Sequence, residues 1–301
     1  MALFISALAT VIVSGLFWRQ FVLLRTIENQ QLMAQSRLLL RGAALDWARA
    51  ILREDAARST YDALSEPWAQ PLAETRLDQL GESSALASQA TMAGSMEDAQ
   101  SRLNLRNLVR GDGSIDEVQR DTLARLASLL SLPQPTADLI AVYMTEALPP
   151  GAFGGAPGTS TSNRPLPPVF AEDLAAIPGL DPSVAPRLAP YVVVLDERTP
   201  VNFNTAPAEL IAASVDGLSL SDARALVAER DRSYFLNTGD IRNRMRGRAR
   251  FSDNDVSVAS RYFFIRGQIK LQRADMRMEA LVKRGPTGGV APVDLLWERE
   301  L

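Results

Sequence analysis

The chain has 301 residues, 47% of them apolar and 22% charged, which supports a globular core and either two domains or one with a large insertion. Its 32 Lys and Arg against 35 Asp and Glu give a net charge of −3, which leaves the chain as a whole without an electrostatic footprint for nucleic acid. Cys and His are both absent, which excludes thiol nucleophiles, Ser-His-Asp triads, imidazole bases and ordinary zinc sites, and leaves the redox compartment unread.

The chain opens with an uncharged apolar run over residues 1–18, carried by Leu3, Phe4, Ile5, Leu8, Val11, Ile12, Val13, Leu16, Phe17 and Trp18. A membrane-spanning helix needs about 17–25 such residues, so the run is just long enough to anchor the chain. A cleaved secretory signal is the competing reading. Against it, no basic region precedes the run, no small-x-small site closes it, and the helical pattern continues through it. Arg19 and Arg25 follow the run and nothing basic precedes it, so charge does not set the membrane orientation.

From Arg19 to Asp55 there is no Pro and a single Gly, Gly42. Leu24, Leu38, Leu45 and Leu52 fall in one heptad register with Gln31 at the missing step, and Ile27, Ala34 and Ala48 lie on the adjoining track, interrupted by Arg41. That spacing predicts the seam of a helix packing along a neighbouring helix through Leu24, Ile27, Leu38, Leu45 and Leu52. A helix of ~55 residues is roughly 80 Å long. A signal anchor tethering an unrelated soluble domain fits the same feature.

Pro67 forbids a continued helix through Tyr61–Leu72, and Ala90–Leu108 reads as one or two strands with polar turns. Helices are predicted over Ser114–Leu132 and Asp138–Glu146, followed by a Gly/Pro/Ser/Thr-rich exposed loop over Pro149–Pro168. Short helices follow at Glu172–Ile177, Pro182–Tyr191, Pro207–Val215 and Ser221–Asp231. The period then changes to two: Phe263–Leu271 and Met276–Val282 alternate about a turn near Arg273-Ala274, and a last strand is predicted over Val293–Trp297. This order predicts an α+β fold in which a helical insertion splits an antiparallel sheet, so that the early strand pairs with the late hairpin. The predicted units are an anchor (1–18), its amphipathic continuation (19–58), the first part of an α/β domain (59–110), the insertion (111–250) and the closing strands (251–301).

Ile177-Pro178-Gly179-Leu180 and Val215-Asp216-Gly217-Leu218, each between short helices, resemble helix-hairpin-helix elements. In DNA binders the backbone amides of such hairpins hold phosphate. Here Glu172, Asp173 and Asp181 border the first and Asp216 and Asp222 the second, which favours a packing role. Positive charge concentrates only in Arg242–Arg250, read as a solvated loop. Asp253-Asn254-Asp255 has calcium-like chemistry but lacks ligands at alternate positions. No nucleophile elbow, P-loop or Gly-rich dinucleotide turn is present, so no enzyme is predicted.

Seven segments then stand in order: Leu45-Asp46-Trp47-Ala48-Arg49, Ile51-Leu52-Arg53-Glu54-Asp55, Glu66-Pro67-Trp68-Ala69, Pro71-Leu72, the stretch from Asp98-Ala99-Gln100 to Arg106-Asn107-Leu108, Asn163-Arg164-Pro165-Leu166, and Val201-Asn202-Phe203-Asn204-Thr205-Ala206. Together, over nearly the whole chain, they resemble the minor pseudopilin K family of bacterial type II secretion. The resemblance implies a pilin-like fold: a long N-terminal helix packed on an antiparallel sheet, with a large α-helical domain of helix-hairpin-helix or SAM-like elements inserted. It implies a single-pass inner-membrane protein with a periplasmic head and no catalytic role. Its implied place is the tip of the pseudopilus, where it initiates or caps a fibre that exports folded proteins across the outer membrane. The implied partners are minor pseudopilins I and J, the major pseudopilin fibre and the inner membrane, not nucleic acid. A membrane-anchored helix-hairpin-helix protein that binds nucleic acid is the alternative.

The family lacks an acid at the fifth mature position, and the anchor here is likewise uncharged. Family members are cut after a Gly by a prepilin peptidase and methylated at the new terminus. This sequence opens at Met1 inside the apolar run, so that junction is expected upstream of it. Members often carry acidic calcium ligands at a helix end before the Asn-x-Pro-Leu segment. The matching stretch here holds Ala141, Met144 and Glu146, and no acid stands between Pro149 and Asn163. Calcium is expected to bind weakly or not at all, and no cofactor is expected.

Overall fold

The computed structural model describes residues 1–82, 86–148, 164–245, 250–286 and 292–301. One helix, α1 (Ala2–Arg58), takes up the whole predicted rod. Its 57 residues span ~85 Å, since neither Gly15 nor Gly42 interrupts the hydrogen-bond ladder and no Pro occurs before Pro67. The first buried residue is Leu32, and Glu28 and Asn29 already meet Arg273 of the sheet's hairpin, so nearly half of α1 stands clear of the head.

The remaining half of α1 packs on an antiparallel sheet of β1 (Leu72–Arg76), β2 (Ala90–Asp98), β7 (Tyr262–Leu271), β8 (Ala274–Arg284) and β9 (Val293–Glu300), in the order β1-β2-β7-β8-β9. The predicted hairpin is β7–β8, turned through Gln272 with a positive φ of 52°. The early strand finds its partner in that hairpin, with β2 paired to β7 from Ala90↔Leu271 to Asp98↔Phe263. Gly94 and Gly267 lie opposite each other in this register. A Cβ on Gly267 would stand 3.0 Å from Leu40 Cδ1 and 3.2 Å from Ala44 Cβ, and one on Gly94 would stand 3.1 Å from Trp47 Cζ3. The two glycines therefore form a depression in which α1 is seated.

Both edge strands carry irregularities, between Leu72 and Thr75 on β1 and between Leu281 and Val282 on β8 opposite β9. With Glu74 and Arg76 on one edge and Asp294, Glu298 and Glu300 on the other, neither edge invites strand addition.

Between β2 and β7 the chain leaves the sheet for residues 99–261, which corrects the predicted insertion of 111–250. Leu103, Leu105 and Leu108, assigned in sequence to the first part of the α/β domain, belong to the insertion's core, as do Val256 and Val258, assigned to the closing strands. This unit holds β3 (Leu103–Asn104), α2 (Glu117–Leu129), α3 (Thr136–Ala147), α4 (Val184–Leu188), β4 (Val192–Val193), β5 (Val201–Asn202), α5 (Ala208–Ser214), α6 (Leu220–Arg230), α7 (Thr238–Arg244) and β6 (Val256–Ser257). Two short parallel pairs, β3–β4 and β5–β6, close it. Glu172–Ile177, predicted helical, forms a 3-10 turn over Ala171–Ala176 ahead of Pro178. The loop predicted over Pro149–Pro168 falls largely outside the described residues.

The helix seam needs correction. Leu45 and Leu52 are buried in the protein's own core, at 6% and 0% exposure, whereas Leu24, Ile27 and Leu38 are exposed. Leu38 and Leu45 sit only ~20° apart around the helix. The segment after the helix joins the same core through Trp68 and Leu77, so α1 packs against that segment as well as against the sheet. Heptad spacing marks a face that packs, and cannot say whether the partner comes from the same chain.

Candidate assembly surface and the junction behind it

The first 30 residues of α1, up to Gln31, contain no buried position. An 18-residue window there has a mean hydropathy of 1.8, long and apolar enough to cross a membrane. All ten predicted anchor residues, from Leu3 to Trp18, are exposed. The exposed apolar surface continues past Trp18 through Phe21, Val22, Leu23, Leu24 and Ile27, with Arg25 stacked on Phe21 at 5.4 Å. Such a surface in water would be costly, so the helix requires a bilayer, neighbouring helices, or one after the other. Leu38, 70% exposed, carries that surface up to the level of the head.

Behind this surface the end of α1, the sheet and the insertion meet at a buried polar junction. Arg284 at the end of β8 is fully buried and donates to Asp55 Oδ2 of α1 at 2.6 Å, to both carboxylate oxygens of Asp62 at 2.7 Å, and to the Ser260 carbonyl at 2.8 Å. Asp98, at the end of β2, accepts from Gln100 N (2.7 Å), Ser260 Oγ (2.6 Å), Thr205 Oγ1 (2.6 Å) and Asn202 Nδ2 (2.9 Å). Burial pushes the Asp98 carboxyl above its usual range. Burial also raises Asp55 and Asp62, each to about 6, with repulsion from Asp62 adding to the effect at Asp55 and Arg284 opposing it at both.

The insertion is held together by side-chain amides that imitate backbone. Asn204 donates to Phe235 O at 2.9 Å and accepts from Phe235 N at 2.8 Å; Asn107 does the same with Thr199, at 2.7 and 3.1 Å. Asn104 reaches Glu197 O and accepts from Leu195 N. Asp55, Asp98, Asn104, Asn107, Asn202 and Asn204 all lie in the segments that carried the family resemblance. Their structural role was not read from the sequence; the available signal was short polar residues inside otherwise apolar stretches.

The outer face of the sheet touches the insertion again through Trp297 and Phe170, whose rings meet edge-on at 4.9 Å beneath Arg299. These contacts line a cavity of about 300 Å³. A chain of ion pairs from Arg102 through Glu97, Arg266, Glu279 and Arg299 to Glu172 crosses it, so every one of these charges is matched.

Both hairpins serve packing. Gly179 and Gly217 take positive φ of 81° and 77°, which a side chain would strain, and Ile177, Leu180 and Val215 turn into the core. Of the basic cluster, Arg242 is paired with Asp253 at 2.5 Å and Arg244 with Asp240 at 2.9 Å; residues 246–249 lie outside the described residues. No arrangement of free cations around a hairpin supports the nucleic-acid reading among the described residues.

The positions that would hold calcium do not fit it. Ala141 and Met144 are buried in the insertion's core and only the exposed Glu146 offers an oxygen from its side chain. Among the described residues, the one trio of carboxylates within 4.8 Å of one another is Asp55, Asp62 and Glu66. Arg284, Ala63 N and Trp68 Nε1 already hydrogen-bond these groups, which makes the trio an ion-pair network.

Residues 101–197 and 201–259 match two family models described as type II secretion system (T2SS), protein K. Between them these cover about half the chain and coincide with the insertion. The type II secretion system protein K of Pseudomonas aeruginosa is 27% identical, over 96% of this chain and 88% of that protein. The GspK–GspI–GspJ complex from enterotoxigenic Escherichia coli contains a chain of the same fold, with a TM-score of 0.67 at 21% identity, covering 92% of this chain and 99% of that one.

Proposed function

Because this chain belongs to the protein K family of the type II secretion system, in which it is a minor pseudopilin, we propose that it caps or initiates the pseudopilus together with minor pseudopilins I and J. The observation that carries this reading is the continuous α1. Its lower half is apolar and uncovered, and its upper half is rigidly seated on the sheet of the head. Such an element holds the subunit in the inner membrane before assembly and lies among the helices of the fibre afterwards, with the head in the periplasm. The role is mechanical and needs no catalysis: the head tops a fibre that drives folded proteins through the outer membrane. With both sheet edges protected, contacts to other subunits fall to α1 and the outer surfaces of the insertion. Calcium has no part in it, since the α3 end offers a single carboxylate; calorimetric titration showing tight binding would contradict this.

Co-purification of the full chain with full-length pseudopilins I and J from detergent-solubilised membranes tests the reading. A stable ternary complex is the expected result. Recovery of the three as separate species would leave only the shared fold.

A further inference from the structure

Up to Ile27 the chain carries only two charged side chains, Arg19 and Arg25. Arg25 is satisfied within the chain, paired with Glu28 at 3.1 Å and stacked on Phe21. Arg19 is exposed, and its guanidinium makes no ion pair or hydrogen bond among the described residues. The nearest acid in the sequence, Glu28, stands ~14 Å further along the helix and is already shared by Arg25 and Arg273. Arg19 does not end the apolar surface but interrupts it. Ile12, Leu16 and Leu23 lie on its own face of the helix, and all three are more than half exposed. Phe21, Val22, Leu24 and Ile27 carry the surface on to the Arg25–Glu28 pair. From Leu3 to Ile27 it measures ~36 Å, longer than the ~30 Å of a hydrocarbon core. In a bilayer the long Arg19 side chain reaches up to the headgroups beside Trp18. Among packed helices no headgroup is within reach, and a guanidinium left alone there is costly. No acid of this chain is free to compensate it, so the counter-charge has to come from a neighbour.

We propose that Arg19 pairs with an Asp or Glu carried inside the apolar stretch of the neighbouring helix of pseudopilin I or J, and that this pair fixes the axial register of α1 in the assembly. A carboxylate matches a guanidinium in charge and, through two parallel hydrogen bonds, in shape. The apolar residues on either side pack acceptably in many registers, whereas the single charge accepts one. A slip of one helical turn moves Arg19 by about 5.4 Å and leaves two charges buried without partners. The inference rests on the assembly reading given above and adds to it the chemistry of the contact.

Arg19→Lys places an amine at the same position, and a membrane-permeant carbodiimide joins an amine to a carboxylate only where the two touch. Membranes holding the full chain with Arg19→Lys together with full-length pseudopilins I and J are treated with the reagent, and the linked peptides are read by mass spectrometry. The expected product joins position 19 to an Asp or Glu inside the apolar stretch of I or J. In parallel, Arg19→Gln should lower recovery of the ternary complex from detergent by about tenfold or more, while Arg19→Lys retains most of it. Co-purification of the wild-type chain reports on the assembly reading separately. A stable wild-type complex with no such link, or with Arg19→Gln recovered as well as wild type, would overturn the pairing and leave Arg19 to the lipid headgroups. A link only to an acid outside an apolar stretch would overturn it as well. Recovery of the wild-type chains as separate species would overturn both readings.

Discussion

Replacing Gly267 by Ala tests how α1 is held. The new Cβ would meet Leu40 Cδ1 at 3.0 Å and Ala44 Cβ at 3.2 Å. Leu40 can swing its methyl aside, but Ala44 Cβ is fixed to the helix backbone, so α1 must retreat by a few tenths of an ångström. Overpacking of this kind costs about 1–3 kcal/mol. Replacing glycine within a strand returns about 0.5–1 kcal/mol. The expected net loss is ~1–2 kcal/mol in denaturant unfolding of the full chain in detergent, followed by the fluorescence of Trp47 and Trp68, which share the core beneath α1. Ala44→Gly removes the atom that is met, and alone costs ~1 kcal/mol as a helix glycine. Combined with Gly267→Ala it should cost at least about 1 kcal/mol less than the two losses summed. Additivity to within ~0.5 kcal/mol, or wild-type stability of Gly267→Ala, would refute the seating of α1 in the glycine depression.

Leu38→Asp should leave stability within ~0.5 kcal/mol of wild type while weakening co-purification with pseudopilins I and J, whereas Leu45→Asp should unfold the head. Thermal melts beside pull-downs separate the two, and a stable Leu45→Asp head would contradict the buried assignment. Arg284→Met strands Asp55 and Asp62 and should cost about 3–5 kcal/mol near neutral pH, with much of the loss recovered in acid, where the carboxyls are neutral. Equal losses at both pH values would mean that packing, not charge, dominates at Arg284. Asn204→Ala leaves the buried Phe235 N–H and C=O unpaired and should cost about 2–4 kcal/mol in chemical denaturation.

The anchor, the single long helix, the β7–β8 hairpin and the helical character of the middle of the chain were legible in sequence, because each rests on local periodicity or on Pro and Gly punctuation. The insertion's limits were not. Leu103, Leu105 and Leu108 are as apolar as any strand residues, and only the pairing of Asp98 with Phe263 shows where the sheet is left and rejoined. The polar junction was out of reach for a related reason. Asp55, Asp62, Asp98, Asn202 and Arg284 are separated by up to 229 positions, and a buried carboxylate looks in sequence like a solvated one.

An apolar helix running into a globular α+β head, and the absence of His- and Cys-based chemistry, follow from composition and period, which need no knowledge of the partner. Which face of that helix packs on its own sheet and which is left for others depends on long-range packing and emerges only in the folded chain. Leu45 and Leu38 are equally apolar and nearly aligned. Leu45 belongs to the core that α1 shares with the sheet, whereas Leu38 stays 70% exposed.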